Sequence, residues 1–167
     1  MATTLVASTM TMNSKIAVHA HPAWRDKANF MIFADLSESG LSGRWEQLWS
    51  RQLSETEFQL CCIPFFTYGL ALGDRVTTGP AKDKKYVIQS VTRKSGRLVY
   101  RIWFDKVKNK NRIREKIVQY IESRNWEFEW SSENLLAVSI SSSQEETDFM
   151  VFVDGYKGQG IIFESGA

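Results

Sequence analysis

Two histidines, His19 and His21, are spaced so that both imidazoles could bind one metal ion. A zinc site needs a third protein ligand and usually a fourth. The chain has no other histidine, and its two cysteines follow some 40 residues later. We therefore expect no metal site and no cofactor.

The two cysteines, Cys61 and Cys62, are neighbours in the sequence and cannot form an ordinary disulfide with each other. A nucleophilic cysteine needs a positive group beside it to stabilise the thiolate, and none is apparent nearby. In a strand the two side chains would point to opposite faces. We interpret both as structural, and the absence of a disulfide framework favours a reducing, cytoplasmic location.

Two glutamates, Glu127 and Glu129, alternate with the aromatic residues Trp126, Phe128 and Trp130. This period of two predicts a strand with all three aromatic side chains on one face. If the aromatic face packs inward, the glutamates are exposed and form an anionic binding strip rather than an acid–base pair. The chain also lacks a phosphate-binding glycine motif and a Ser-His-Asp set, so we expect no catalytic residue and no enzyme.

A strongly basic run, residues 106–116, has six basic residues among eleven. They are Lys106, Lys108, Lys110, Arg112, Arg114 and Lys116. Such a run binds either an acidic protein surface or the phosphates of a nucleic acid. The chain lacks the aromatic signature of an RNA-recognition module, and its net charge is only +2, so nucleic acid is disfavoured. A nucleic-acid- or ribosome-associated module stays the alternative.

The charges are segregated along the chain. Residues 1–74 contain 5 basic and 7 acidic residues, residues 75–116 contain 14 and 3, and residues 117–167 contain 2 and 9. Separated charges of this kind steer association with charged partners, which favours binding over catalysis. The acidic residues Glu145, Glu146 and Asp148 are therefore a second candidate contact, beside the basic run.

The elements that carry these residues divide the 167-residue chain into three parts. Residues 1–28 read as a flexible arm. Residues 29–96 contain short apolar stretches separated by turns, which predicts a small barrel or curled antiparallel sheet. In this half Phe58–Phe66 is an apolar run in which Pro64 should lie at a strand end, an edge or a bulge. Gly79–Pro80 and the charged residues 81–85 form the next turn, and Ser95–Gly96 is a tight turn to a hairpin partner at 97–104. No apolar run is long enough to span a bilayer.

The spacing of the apolar residues changes in residues 97–167. Ile113, Ile117 and Ile121 recur every four residues, which predicts an amphipathic helix from Arg112 to Arg124. A strand pair follows, then a short helix capped by Ser142 with Glu145 or by Ser143 with Glu146, then a closing strand. The order strand, helix, strand, strand, helix, strand predicts a ferredoxin-like half. The fold class is therefore α+β, and the 97–104 strand could belong to both halves of one compact unit.

A longer pattern resembles a bacterial family catalogued as a domain of unknown function. It reads W-E-x-L-W, then C-C-I-P-F-F, then L-A-L-G-D-x-V, and it continues in residues 95–104 and 129–138. The resemblance covers roughly residues 29–164. The matching positions are mostly turn and core residues, which implies a shared fold: Trp45, Trp49, Cys61, Cys62, Pro64, Phe65, Phe66, Gly73 and Asp74.

Some relatives in that family resemble immunity proteins encoded beside polymorphic toxins of the Rhs or type VI secretion kind. The resemblance implies a cytoplasmic protein that binds and blocks a cognate toxin encoded nearby, one to one. An ADP-ribosyltransferase is the favoured toxin and a nuclease the other. The basic run lies outside the shared pattern. We therefore expect it to take part in recognition specific to the partner.

Overall fold

The computed structural model describes residues 15–104 and 106–166, which form two β-sheets and two α-helices. Ten strands are β1 (Ile16–Ala17), β2 (Phe30–Asp35), β3 (Trp45–Gln52), β4 (Glu57–Leu60), β5 (Arg75–Ala81), β6 (Lys84–Arg93), β7 (Leu98–Trp103), β8 (Glu127–Ser132), β9 (Leu135–Ile140) and β10 (Ile162–Ser165). The helices are α1 (Lys110–Ser123) and α2 (Ser143–Asp154), and Arg25–Lys27 forms one 3-10 turn. The fold is therefore mixed α+β and rich in strand.

The first sheet is strongly curled. Its order is β1-β3-β2-β6-β5-β4, and β4 also pairs with β3, so strands β2 to β6 close into a ring. The ring closes because β3 uses both of its edges: β2 pairs along one edge, while β1 and β4 share the other. Its interior is apolar, with Ile32, Leu48 and Phe58 fully buried. The expected curled sheet is present.

Two segments of this sheet differ in detail from the sequence prediction. The apolar stretch that begins at Phe58 leaves the strand at Leu60, because the backbone N–H groups of residue 63 and of residues 65–67 donate to carboxylates instead of a neighbouring strand. The turn predicted over residues 79–85 is shorter in the structure: Gly79–Pro80 lies within β5 beside irregular pairing, and the chain turns at Lys82, whose φ is +54°. Just before β5 the chain turns at Gly73, whose φ of +84° favours glycine.

The second sheet is antiparallel in the order β10-β7-β9-β8. Strand β7 was predicted as the hairpin partner of the preceding strand, β6, and that prediction is wrong. After Ser95–Gly96 the chain leaves the first sheet, and β7 pairs with β9 and β10. No β7 pairing joins it to the first sheet, so the strand belongs to the second half alone.

Both helices pack on one face of the second sheet. Ile117 and Ile121 of α1 are buried there together with Phe149 and Val153 of α2. Helix α1 begins two residues earlier than predicted, and no side chain caps it. Helix α2 is capped by the first of the two predicted residues, since the Ser142 side chain accepts a hydrogen bond from the Glu145 amide.

The opposite face of the second sheet packs against the curled sheet. A shared apolar cluster contains Val99, Leu135 and Ala137 from the second sheet with Phe65 and Leu72 from the first half. The second sheet is thus covered on both faces, by helices on one side and by the first half on the other. Polar residues on the covered inner face must find partners there.

The segment at residues 15–28 differs from the flexible arm expected for residues 1–28. Strand β1 pairs in parallel with β3, and His19 is buried between the two halves. Trp24 donates its backbone N–H to Cys61 O at 2.9 Å. The rest of the predicted arm lies outside the described residues. No helix among the described residues is long and apolar enough to cross a membrane.

Candidate functional site

A buried histidine joins three distant parts of the chain. The His19 Nε2 atom lies 3.0 Å from Glu46 Oε1 on β3, and its Nδ1 atom lies 3.1 Å from Glu129 Oε1 on β8. The ring stacks on Phe65, with 4.0 Å between centroids and 7° between planes. The backbone carbonyl of His19 accepts the Trp49 indole N–H at 3.0 Å. Each half of the fold therefore contributes one carboxylate to the same imidazole.

The 61–67 loop wraps around the carboxylate of Glu46. The backbone N–H groups of Phe65, Phe66 and Thr67 donate to it at 2.6, 3.1 and 2.9 Å, and the Thr67 hydroxyl donates at 2.7 Å. The Ile63 N–H donates to Glu129. A fully buried carboxylate is stable only with this kind of hydrogen bonding, so the loop stabilises both negative charges.

The protonation states follow from these contacts. Burial by itself lowers the pKa of His19, but its hydrogen bonds to Glu129 and Glu46 outweigh burial and raise the pKa to about 9. Burial disfavours the charged form of Glu46, yet the donors His19, Thr67 and Phe65 lower its pKa to about 2. At neutral pH the cluster thus contains an imidazolium ion that donates to two carboxylates.

A second buried cation, Arg101 on β7, completes this charge cluster. Its guanidinium donates to the carbonyl oxygens of Pro64 and Thr67 at 3.1 and 2.7 Å, so the 61–67 loop also provides acceptors. Burial lowers the pKa of Arg101, and the nearby negative charge of Glu46 opposes that shift. Two cations therefore accompany two anions in the seam between the halves.

Strand register places this second-half set in one row. Glu164 of β10 faces Arg101 of β7, Arg101 faces Ala137 of β9, and Ala137 faces Glu129 of β8. Directly opposed residues project from the same side of a sheet. The small side chain of Ala137 sits between the charged residues, where the first half packs closely.

The His19 cluster is built for holding the fold together. His19, Glu46 and Glu129 are buried, both ring nitrogens are engaged, and Glu46 accepts five hydrogen bonds. A general base must reach a proton on a substrate, and this imidazole has no free nitrogen. Over residues 15–104 and 106–166, no group of three or more His, Cys, Asp or Glu side chains is arranged to hold a metal ion.

Both cysteines lie in the core. Cys61 and Cys62 are fully buried and unpaired, and burial raises the pKa of each thiol. His21, the other half of the predicted histidine pair, is exposed, whereas His19 is buried. The residues of the shared sequence pattern have mainly structural contacts. Asp74, for example, accepts hydrogen bonds from the backbone N–H groups of Ala71 and Ser95.

The acidic residues predicted to contact a partner are mostly engaged within the protein. Glu129 was expected to be exposed and is 3% exposed, because the glutamate face of β8 packs against the first half. On the same face, Glu127 pairs with Arg97 at 2.9 Å. Glu146 accepts a hydrogen bond from Tyr100, and Asp148 pairs with Arg124. Glu145 accepts one from Ser141, next to the helix cap. Glu127 and Glu129 therefore do not form the predicted exposed anionic strip.

The basic run is spread over the turn before α1 and the first two turns of this helix. Only Lys110 of its six cations has a carboxylate partner among the described residues, namely Glu133 at 3.8 Å. Lys106, Lys108 and Arg112 are exposed. A groove of about 420 Å³ lies along one side of the helix, and Arg112, Lys116 and Tyr156 are among the residues that line it.

A second groove lies on the other side of α1, against the edge strand β8. Its volume is about 440 Å³, and Arg114, Val118 and Trp130 are among its lining residues. The Arg114 guanidinium carbon lies 4.3 Å from the centre of the Trp130 ring. The basic part of α1 is therefore a ridge between two grooves.

Sequence reasoning missed His19, Glu46 and Arg101 as parts of one cluster. The sequence did contain a signal for Glu46 and Arg101. Glu46 shares its strand face with the core residue Leu48, and Arg101 alternates with Tyr100 and Ile102 in an apolar strand. A charged residue on a buried face is informative because it must be paired there.

Comparison with known proteins adds a family and a fold. The family model described as a domain of unknown function, DUF4265, matches residues 46–162. A crystal structure of a hypothetical protein from Neisseria gonorrhoeae is similar, with a TM-score of 0.61 and 20% sequence identity over 74% of this chain and 83% of the other. At that identity the likeness concerns the fold alone. No curated protein matches the chain.

Proposed function

The chain belongs to the DUF4265 family, a domain of unknown function, and we propose that it is an antibacterial immunity protein that binds and blocks a cognate toxin. In this proposal the protein is not an enzyme. It acts in the cytoplasm as a one-to-one inhibitor of a polymorphic toxin of the Rhs or type VI kind. The toxin is an ADP-ribosyltransferase in the preferred version.

The observation that carries the proposal is the unneutralised charge of the basic run. Five of its six cations lack a carboxylate partner among the described residues, whereas all five predicted acidic contacts have a hydrogen-bond or ion-pair partner within the protein. Basic side chains at a helix N-terminus oppose the helix dipole and cost a few tenths of a kcal/mol each. An acidic partner surface would offset that cost and speed association.

The buried cluster supports binding rather than catalysis by another route. His19, whose two ring nitrogens each lie near a carboxylate, is shielded by the two halves of the fold. A stoichiometric inhibitor needs a rigid surface of about 800 Å² and no reactive group. The charge cluster provides rigidity because it joins both halves.

We also propose a ferredoxin-like classification for residues 97–167. Three features support it: the element order from β7 to β10, the antiparallel order β10-β7-β9-β8, and the packing of both helices on one face. The classification places α1, and with it the basic run, on the side of the sheet away from the first half. That side is open to a partner.

The test is co-expression with the toxin gene next to this one in its genome. The purified pair should elute as one complex with equal amounts of both proteins, and co-expression should restore host growth. A K108E/R112E double variant should associate at least about tenfold more slowly at low salt, because it reverses two exposed charges. A K85E/R93E variant on β6 is the matched control, since both side chains are also exposed.

Two results would overturn the proposal. The first is a folded protein that neither binds the neighbouring gene product nor protects the host. The second is selective retention of RNA or ribosomes at moderate salt, which would assign the basic run to a nucleic-acid-binding role.

A further inference from the structure

The groove between α1 and β8, called here the α1–β8 groove, combines charge with an apolar wall. Its lining residues are Asn111, Arg114, Glu115, Val118, Gln119 and Trp130. Five of these come from α1 and one from β8. Because β8 is an edge of the four-stranded sheet, no described strand covers its outer side. The groove therefore lies beside a row of backbone groups that an extended segment could pair with.

Arg114 stands out in this groove because nothing in the described protein accepts its hydrogen bonds. Its Nε atom is buried and has no partner. Two other partly buried arginines do have carboxylate partners: Arg97 pairs with Glu127, and Arg124 pairs with Asp148. A buried donor without an acceptor costs about 1–3 kcal/mol. This cost is removed if an acceptor arrives with a ligand.

The aromatic ring of Trp130 holds the guanidinium in place. The Arg114 guanidinium carbon lies 4.3 Å from the ring centre, a cation–π distance, and Trp130 itself packs on Phe104 at 5.7 Å between centroids. A guanidinium held in this way loses little conformational freedom when it binds. Its planar fork then matches a carboxylate, which accepts two parallel hydrogen bonds.

We propose that the α1–β8 groove is the docking site for an extended acidic segment of the partner protein, with one carboxylate on Arg114. The proposal rests on the proposed function, because it names the part of the partner that the basic ridge recognises. Neighbouring apolar residues of the segment would pack on Val118 and Trp130. Glu115 also lines the groove, and its negative charge would repel the many charges of a continuous phosphate backbone. It would repel a single carboxylate followed by an apolar residue less strongly.

Peptide titration followed by NMR tests the groove without the toxin. The probe is an acetylated and amidated pentapeptide of alternating leucine and glutamate, and the control peptide has glutamine in place of glutamate. We expect the glutamate peptide alone to shift the Arg114 Nε–H and Trp130 indole resonances. R114A, in which only the Trp130 indole resonance remains to be followed, should abolish the shift of that resonance. R114K should weaken binding about tenfold, because it keeps the charge and loses the fork.

Controls separate docking from general charge and from misfolding. K85A removes an exposed lysine on the first sheet and should leave peptide binding unchanged. An amide spectrum with native dispersion shows that each variant is folded. If R114A does not fold, the comparison of R114K with the unmodified protein provides the test. Equal shifts with the glutamine peptide, or unchanged binding by R114K, would overturn the carboxylate assignment. A twelve-nucleotide RNA that shifts the same two resonances more strongly would also overturn it.

The two proposals fail in different ways. If the neighbouring toxin binds one to one and R114K binds it as tightly as the unmodified protein, the α1–β8 groove is not the docking site and the inhibitor role stands. If the glutamate peptide docks on Arg114 and the toxin does not bind, the groove is a peptide-binding site and the proposed inhibitor role is wrong.

Discussion

His19 and Glu129 are 110 positions apart in the sequence, yet His19 Nδ1 lies 3.1 Å from Glu129 Oε1 in the core. One residue precedes the first half of the fold, and the other lies in an edge strand of the second half. Their ion pair, together with the one between His19 and Glu46, links the N-terminal segment to both halves. The stability of the seam should therefore depend on the charge of a single imidazole.

Alkaline pH should destabilise the protein through His19. Its pKa rises from 6.5 to about 9 on folding, so its contribution is complete below pH 6.5 and is lost as the pH passes 9. The full effect is about 3 kcal/mol. Urea unfolding at pH 6, 7, 8 and 9 measures it. H19Q should flatten the slope over this range, while H21Q, at an exposed position, should retain it.

Removing the charge of Glu46 should be strongly destabilising at neutral pH. E46Q leaves the His19 cation with one carboxylate and gives the backbone donors of the 61–67 loop a weaker acceptor, so we expect a loss of about 3–5 kcal/mol. Urea unfolding midpoints at pH 7 provide the measurement. E55Q, on an exposed residue, should change stability by less than about 0.5 kcal/mol. Similar losses for both variants would contradict the structural role.

Enlarging Ala137 should force the two halves apart. The residue is fully buried between Arg101 and Glu129 in the strand register, and its small side chain leaves room for the first half. A137L should cost about 1–3 kcal/mol through overpacking. A20L is the control, since Ala20 is exposed. Thermal unfolding of both variants gives the comparison, and an unchanged midpoint for A137L would show that the seam is loosely packed.

The two cysteines should be unreactive until the protein unfolds. Cys61 and Cys62 are both fully buried, and burial raises the pKa of their thiols. Ellman's reagent at pH 8 should modify neither in the native protein on the timescale of minutes, and both in urea. Rapid modification of one native thiol would identify an accessible nucleophile and reopen a catalytic role.

Local patterns in the sequence predicted several elements well. The spacing of Ile117 and Ile121 predicted the buried face of α1, and the capping pattern at Ser142 or Ser143 located the start of α2 within one residue. These features depend on residues close in sequence. Local propensity and periodicity therefore contain enough information to find them.

The seam could not be predicted in the same way. Alternation shows that Glu127 and Glu129 share a face, but it does not show whether another layer covers that face. The sequence therefore predicted exposure for Glu129, which is buried. The chain could either stay in the first sheet after Ser95–Gly96 or cross to the second sheet, and it crosses. The turn signal is the same in both cases, so the sequence did not reveal which strands pair with β7.

The 61–67 loop recognises charge with its backbone. Its N–H groups donate to Glu46 and its carbonyl oxygens accept from Arg101, so most of its side chains take no part in binding either ion. Exchanges among large apolar residues at Phe65 and Phe66 can then alter the volume of the core while both ions keep their partners. The side chains at positions 65 and 66 are therefore free to change as long as they fill the same volume of the core. A change at position 46, in contrast, would require a matching change at position 101.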